Sequence, residues 1–384
     1  MEITKFLEIL HDKKFMDYRK MSNKYPDTFQ EYLDTLSIFY KKLPLEDAQG
    51  NFMVFLEEPL KIQTSTLRTL FQNQSDLYSA KSLETEIIAT SAIENIDFSR
   101  DSVRFILSGQ ASKNEEEKRI EGLKKGLEFI SDPGNKITEE NLYKLYKMVI
   151  GKYLDEENQL KEGNLYRHDS VYVAGTKVEH TGISYKQVPS YMKSLVKYIN
   201  QKDDIQDLMK ACIIHFYIAY VHPWFDGNGR MARLVHLWFL VQRGYQSVLF
   251  VPFSSLIEKT RKQYYDAYQT IEDNYRYTHT IDVTPFLLYF INNVYNKIEQ
   301  PLQEDTLSVY RLALNQKKIT NKEDKLWKFV LSYFGTEEFS TKELEKAYGD
   351  AAYATIRSFV LKFTDLGLLT AISYTTKNKY RVKR

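Results

Sequence analysis

The chain has a single cysteine, Cys212, in 384 residues. An internal disulfide is excluded, and a reducing compartment, the cytoplasm, is the simplest expectation. Neither charge sign is in surplus. Lys and Arg total 53 against 51 Asp and Glu, a formal net charge of +2, so no global field points to nucleic acid or a membrane. Long apolar runs are missing too: the most apolar stretch, 237–253, is broken by Gln242 and Arg243, too early for a membrane span. The opening MEITKFLEIL lacks the basic start and long apolar core of a signal peptide. No GxxxxGK[ST] sequence occurs, which argues against an ordinary P-loop. His11, His168, His236 and His279 show no metal-ligand spacing, and beside one cysteine they predict no zinc site.

What is present is helical periodicity. Apolar residues recur at three- and four-residue spacing through most of the first 300 positions, predicting a mainly α fold. Residues 1–80 read as a helical N-terminal region with little recognisable chemistry. Helices are expected over 82–95 and 102–107, and the polar connector 109–119 opens another. Thr138 is placed as the N-cap of the next helix, with acidic residues in its first turn. Between Tyr166 and Pro189, SVYVAGTKVEHTGIS alternates β-branched and polar residues around Ala174-Gly175, predicting a short β-hairpin within a helical domain. Helical spacing resumes at Val188. The helix from about Asp204 to Val221 is expected to bury Ile205, Leu208, Cys212 and Phe216 on one stripe and to end at Pro223. Another follows from Gly229 to about Arg243. The segment 305–384 starts with a connecting helix and linker, then predicts three helices and a closing β-ribbon, the order of a winged-helix (α+β) module. Its last stretch, KNKYRVKR, carries cations without an acid and suits a phosphate backbone.

The most informative run is HPWFDGNGRMAR, from His222 to Arg233. Arg230 and Arg233 lie three apart at a helix start, where the macrodipole disfavours cations by a few tenths to ~1 kcal/mol each. Such a start is suited to an anion, because free backbone N–H groups there bind phosphates. His222 can accept a proton near neutral pH, and Asp226 offers the hard oxygen that Mg²⁺ prefers. Gly227 and Gly229 let the backbone approach a ligand closely, Asn228 adds a polar contact, and the arginine forks can neutralise phosphate oxygens. Together these groups suit phosphoryl or nucleotidyl transfer from a nucleoside triphosphate.

This run resembles the hallmark of the Fic family, HPFx[D/E]GNGRxxR, departing at Trp224, an aromatic in place of phenylalanine. The resemblance covers about Leu83 to Phe290. The segment from Tyr166 to Met192 is similar to the family's flap, which docks the target by strand addition and here includes Val178, Glu179, His180 and Thr181. QYYDAY, from Gln263, resembles a tyrosine pair whose first member, Tyr264, lies against the nucleotide in relatives. The resemblance implies a Fic domain over 81–300, with an inhibitory helix at 82–95 and the core motif at 222–233, followed by the winged-helix domain over 305–384. It implies transfer of AMP from ATP to a Tyr, Ser or Thr hydroxyl of a target protein. His222 would be the base and Asp226 would hold Mg²⁺. Gly227, Asn228, Gly229 and Arg230 would cradle phosphates, and Arg233 would reach the γ-phosphate. The family's phosphorylating branch has lysine at the position of Gly229, so glycine favours AMP transfer.

TSAIEN, 90–95, fits the family's inhibitory pattern [ST]xxxE[GN] through Thr90, Glu94 and Asn95. Glu94 set against Arg233 would occupy the arginine that the γ-phosphate needs. The resemblance also raises removal of AMP from the target, self-modification and a homodimer. His215 reads as a packed helix residue rather than a second base. The alternative reading is a DNA-binding winged-helix regulator with a vestigial nucleotide site.

Overall fold

Side-chain caps set many of the helix starts. Ser99 Oγ accepts from Ser102 N at 3.1 Å, Asn114 Oδ1 from Glu117 N at 2.8 Å and Thr138 Oγ1 from Asn141 N at 3.2 Å. They open the helices Arg100–Leu107, Glu115–Ser131 and Glu139–Val149. This computed structural model describes residues 1–71, 80–174, 179–181, 183–251, 253–298, 304–334, 337–374 and 377–383. The described chain is mainly helical with a few short strands, and it divides into two units. One comprises Met1–Gln63, Ile87–Tyr245 and Ser254–Lys297; the other comprises Thr64–Glu86, Gln246–Phe253 and Ile298–Arg384. Among the described residues no helix is long and apolar enough to cross a membrane.

At the centre of the first unit are the helices Asp207–Val221 and Asn228–Gln242, buried on almost every face. The expected single stripe is therefore corrected. Ile205 precedes the helix and is half-buried, while Leu208, Cys212 and Phe216 are buried together with the residues between them. A helix enclosed all round has no polar face to set a stripe against.

Residues 1–80 are not helical throughout. Lys41–Glu46 and Phe52–Phe55 form an antiparallel hairpin. Asp47 builds its turn by accepting from Gln49 N at 2.9 Å and Asn51 N at 2.8 Å, and Gly50 takes φ 82°. Val54 then donates to Ile281 O and accepts from Val283 N, both at 2.9 Å. These bonds make residues 1–63 part of the same unit as 87–245 rather than a separate preamble. Beneath them Asp282 is buried with Oδ1 accepting from Thr284 N at 2.9 Å, and burial pushes its pKa from 3.8 up to about 6.

The hairpin expected after Tyr166 is present, with Tyr172, Val173 and Ala174 paired to Thr181, His180 and Glu179. Val178 lies outside the described residues.

In the second unit the helices Asn321–Tyr333 and Thr341–Tyr348 open with capping boxes, Thr320 with Glu323 and Ser340 with Glu343. They pack with Tyr353–Asp365 around Trp327, Val330, Phe339, Leu344, Phe359 and Phe363. Leu369–Tyr374 and Lys377–Val382 form a two-stranded ribbon. Its register puts Leu369 opposite Val382 and Ala371 opposite Tyr380; Leu369, Val382 and Tyr380 join the core, while Ala371 is exposed. Thr370 opposite Arg381 and Ile372 opposite Lys379 make up the other face.

Candidate active site

The helix Asp207–Val221 ends because His222 adopts the left-handed conformation, φ 51° and ψ 62°, while its N–H donates to Ile218 O at 3.0 Å. That conformation is uncommon for a residue with a β-carbon. Trp224 anchors the turn that follows. It is fully buried, stacks on Tyr146 at 4.9 Å, and donates its indole N–H to Leu165 O at 3.2 Å. Asn228 closes the same turn: its Oδ1 accepts from Trp224 N at 3.0 Å and its Nδ2 donates to Trp224 O at 2.8 Å. The Asn228 amide is thus spent on the loop, which leaves its backbone N–H for an anion. Gly227 has φ 78°, and a Cβ there would overlap Ile150.

The two arginines are both buried and differently engaged. Arg230 Nη2 pairs with the exposed Asp226 carboxylate at 3.1 Å, and its Nε has no partner. Arg233 donates through Nε to Thr90 Oγ1, and through Nη2 to Thr90 O and Glu94 Oε1, each at 2.8 Å. Its Nη1 is buried without a partner. Burial opposes the charge of Arg233, but Glu94 outweighs it and holds the pKa above the ordinary value. Burial likewise pushes Glu94 up, yet the charges of Arg233, Arg230 and Arg261 hold its carboxyl below the usual range. A Cβ on residue 229 would overlap Glu94 Oε1, so glycine there admits the carboxylate.

The end of the helix Ala80–Ala92 delivers that carboxylate. Ile96 N donates to Ser91 O and Asn95 N to Ala92 O, both at 3.0 Å, with Asn95 left-handed at φ 59°. Asparagine or glycine suits such a position because other side chains strain there. Arg261 secures the turn, donating to Asn95 Oδ1 at 2.9 Å and to Ala92 O at 3.3 Å.

His222 is half-buried, and its pKa is pushed down to about 4 by burial first and then by the charge of Arg167, against Asp226 and Glu94. The imidazole is therefore neutral at pH 7, the state a base needs. Asp226 stands as a lone carboxylate, and among the described residues no group of three or more His, Cys, Asp or Glu could hold a metal. One carboxylate suits Mg²⁺ shared with substrate phosphates.

Two placements differ from the sequence-based expectation. Tyr264, assigned to the nucleotide by resemblance, is enclosed in the core, where its hydroxyl bonds His215 Nε2 at 2.9 Å and Tyr268 at 3.2 Å. The exposed member of the pair is Tyr265, whose hydroxyl donates to Ile93 O at 3.4 Å. A nucleotide-facing role thus moves away from Tyr264, because the helix Arg261–Thr278 turns it inward. His215 is fully buried, as a packed helix residue should be. Arg167 carried no expectation, although it donates to His222 O at 2.8 Å. Its partners are backbone carbonyls, so no residue spacing in the sequence points to it.

Residues 136–240 match the model of the Fic/DOC family. A protein adenylyltransferase Fic from Aedes aegypti is 24% identical over 208 residues, 53% of this chain and 36% of that protein. A protein adenylyltransferase fic-1 from Caenorhabditis elegans is 27% identical over 187 residues, 46% of this chain and 34% of that protein. The chain thus spans about a third of the length of the curated relatives it matches. A solved Fic family protein from Desulfovibrio desulfuricans G20 superposes with a TM-score of 0.48 at 18% identity, covering 85% of this chain and 98% of that one. The matched segment includes the whole His222–Arg233 loop, so it is over this loop and the helices around it that the chain is similar to the Fic/DOC family.

Proposed function

We propose that the chain transfers AMP from ATP to a Tyr, Ser or Thr hydroxyl of a target protein. One observation carries the reading: two buried guanidiniums at the start of the helix Asn228–Gln242 each keep an unspent donor beside a neutral His222. Buried donors without partners are costly, and a triphosphate would satisfy them. The lone Asp226 carboxylate fits the same ligand, since it would hold Mg²⁺, whose chemistry when bound is to neutralise phosphate charge.

His222 removes the proton from the attacking hydroxyl. A bond forms between that oxygen and the α-phosphorus as the bridging bond to the β-phosphate breaks, and pyrophosphate leaves with the electron pair. Gly227, Gly229 and the backbone N–H of Asn228 line the phosphates, Arg230 bonds the α- and β-phosphates, and Arg233 takes the γ-phosphate. Glu94, with Thr90 and Asn95 behind it, competes for Arg233 and holds the enzyme back. The same carboxylate is the group to test for hydrolytic removal of AMP. The hairpin with Val178, Glu179, His180 and Thr181 receives the target segment as an added strand. A reducing cytoplasm suits the unpaired, buried Cys212. The test is labelled ATP in lysate with wild type, Glu94→Gly and His222→Ala. Label should enter protein from the α-phosphate and be lost with His222→Ala; label entering from the γ-phosphate alone would make the chain a kinase.

A second reading, duplex DNA binding by 321–384, is favoured by the ribbon face that carries Lys379 and Arg381, with Lys383 just beyond it. A gel shift over a salt series decides it: phosphate contacts impose a steep loss of binding with salt, and no shift at low salt removes this reading.

A further inference from the structure

Arg167 touches none of the phosphate-site residues, yet it is 3% exposed and always charged. Among the described residues no carboxylate pairs with it. Its side chain donates to three backbone carbonyls instead: Nε to His222 O at 2.8 Å, Nη1 to Asp169 O at 3.0 Å, and Nη2 to Ile183 O. Its own N–H donates to Pro223 O at 2.9 Å. An arginine buried on carbonyls alone lacks the ion pair that offsets desolvation, so the arrangement is costly.

Its partners explain what the cost achieves. Asp169 and Ile183 flank the hairpin Tyr172–Ala174 and Glu179–Thr181, one at each foot. His222 and Pro223 belong to the turn that carries the base. One planar fork therefore spans both feet of the hairpin and the backbone of His222. The conformation it holds, φ 51° and ψ 62°, is left-handed and uncommon for a residue with a β-carbon, so the bonds to the His222 and Pro223 carbonyls help to fix it.

We infer that Arg167 is a positioning residue that sets the hairpin in register with His222 and holds the base in its left-handed turn. This rests on the reading of His222 as base and of the hairpin as the target dock. Lysine cannot replace the fork, because a single ammonium does not present three separated nitrogens to three carbonyls. Arg167 also faces His222 as a charge, with Asp226 and Glu94 opposing it.

The test uses the full chain in the Glu94→Gly background, with Arg167→Lys and Arg167→Met. Three quantities are read: transfer of α-labelled AMP into lysate protein, affinity for AMP-PNP with Mg²⁺, and the ¹³C-labelled His222 ring resonance by NMR. Transfer should fall about 100-fold in both variants, the loss expected when a reacting group is misplaced by about an ångström. AMP-PNP affinity should stay within about twofold, a split between turnover and binding that loss of the fold would not give. The His222 resonance should shift in both, and in Arg167→Met its titration midpoint should also rise towards the ordinary value. The inference is overturned if Arg167→Lys transfers as well as its parent, if affinity falls in step with transfer, or if the His222 resonance stays in place. Should the Glu94→Gly parent itself transfer no label, the AMP-transfer reading falls alone, and the resonance still decides the role of Arg167.

Discussion

The helix pair Asp207–Val221 and Asn228–Gln242 and the terminal segment 304–383 are both helical and both well filled, yet they treat charge in opposite ways. The pair buries Lys210, His215, Arg230, Arg233 and His236. The terminal cluster is built from apolar residues, Trp327, Phe359, Phe363 and Leu368 among them, while Arg357, Arg381 and Lys383 are exposed. Burial of charge does not by itself mark a site. The ammonium of Lys210 is matched by Asp203 at 2.7 Å and Gln201 O at 2.8 Å, a structural solution. Arg230 and Arg233 differ because each keeps a donor unspent after its protein partners are counted. A donor left over on a guanidinium that stays charged, rather than burial alone, sets Arg230 and Arg233 apart from Lys210.

His222→Ala in the Glu94→Gly background should lower label transfer by about 10²–10⁴-fold, the usual contribution of a general base. Unchanged transfer would falsify its role. In the terminal cluster, Trp327→Ala should cost about 3–5 kcal/mol in a denaturant titration, the range for emptying a large aromatic site. Label transfer at low temperature should then be unaffected, and a loss of transfer would show that the apolar cluster also serves catalysis. Glu94→Gly frees Arg233 and should raise transfer by about 5–150-fold, the span of a typical coupling energy. No gain would mean that the pair at 2.8 Å is not inhibitory.

A subtler effect concerns pH. The pKa of Asp282 is raised on folding from 3.8 to about 6, so the folded chain binds more protons than the unfolded chain between those values. Stability attributable to this group should therefore fall as pH rises from about 4 to about 6. Asp282→Asn should flatten that slope in Tm against pH, and an unaltered slope would assign it to other groups. The smallest effect is expected at the ribbon. Lys379→Ala with Arg381→Ala should change stability by no more than about 0.5 kcal/mol and leave label transfer alone. A larger loss of stability would mean that the exposed face is structural after all.

Much of the candidate site was legible because its chemistry is contiguous. His222, Asp226, Gly227, Asn228, Gly229, Arg230 and Arg233 follow one another around a single turn, and helical spacing alone puts the two arginines on one face. Thr90, Glu94 and Asn95 were legible as a pattern, while the left-handed turn at Asn95 came from the structure. Arg167 was not, because its partners are backbone carbonyls as far as 55 residues away, and a carbonyl has no side-chain identity to read. The hairpin at 41–55 escaped because its turn depends on the Asp47 side chain rather than on a standard two-residue loop. The burial of Tyr264 is not legible, because a pair of adjacent tyrosines does not say which one its helix turns inward.

What the sequence determined by itself is the inventory: a base, a carboxylate, two glycines that admit close approach, two arginines at a helix start and a glutamate four residues after a threonine. These follow from residue type and local spacing, which act over one or two turns of chain. Only the tertiary structure decided how the inventory is spent. It brings Glu94 to Arg233 across 139 residues and sets the carboxylate over Gly229, where a β-carbon would exclude it. It also hangs the backbone of His222 on Arg167 and leaves one donor free on each arginine. The reason is physical: satisfied and unsatisfied hydrogen bonds are properties of a packed neighbourhood, and distant segments supply that neighbourhood only once the chain has folded.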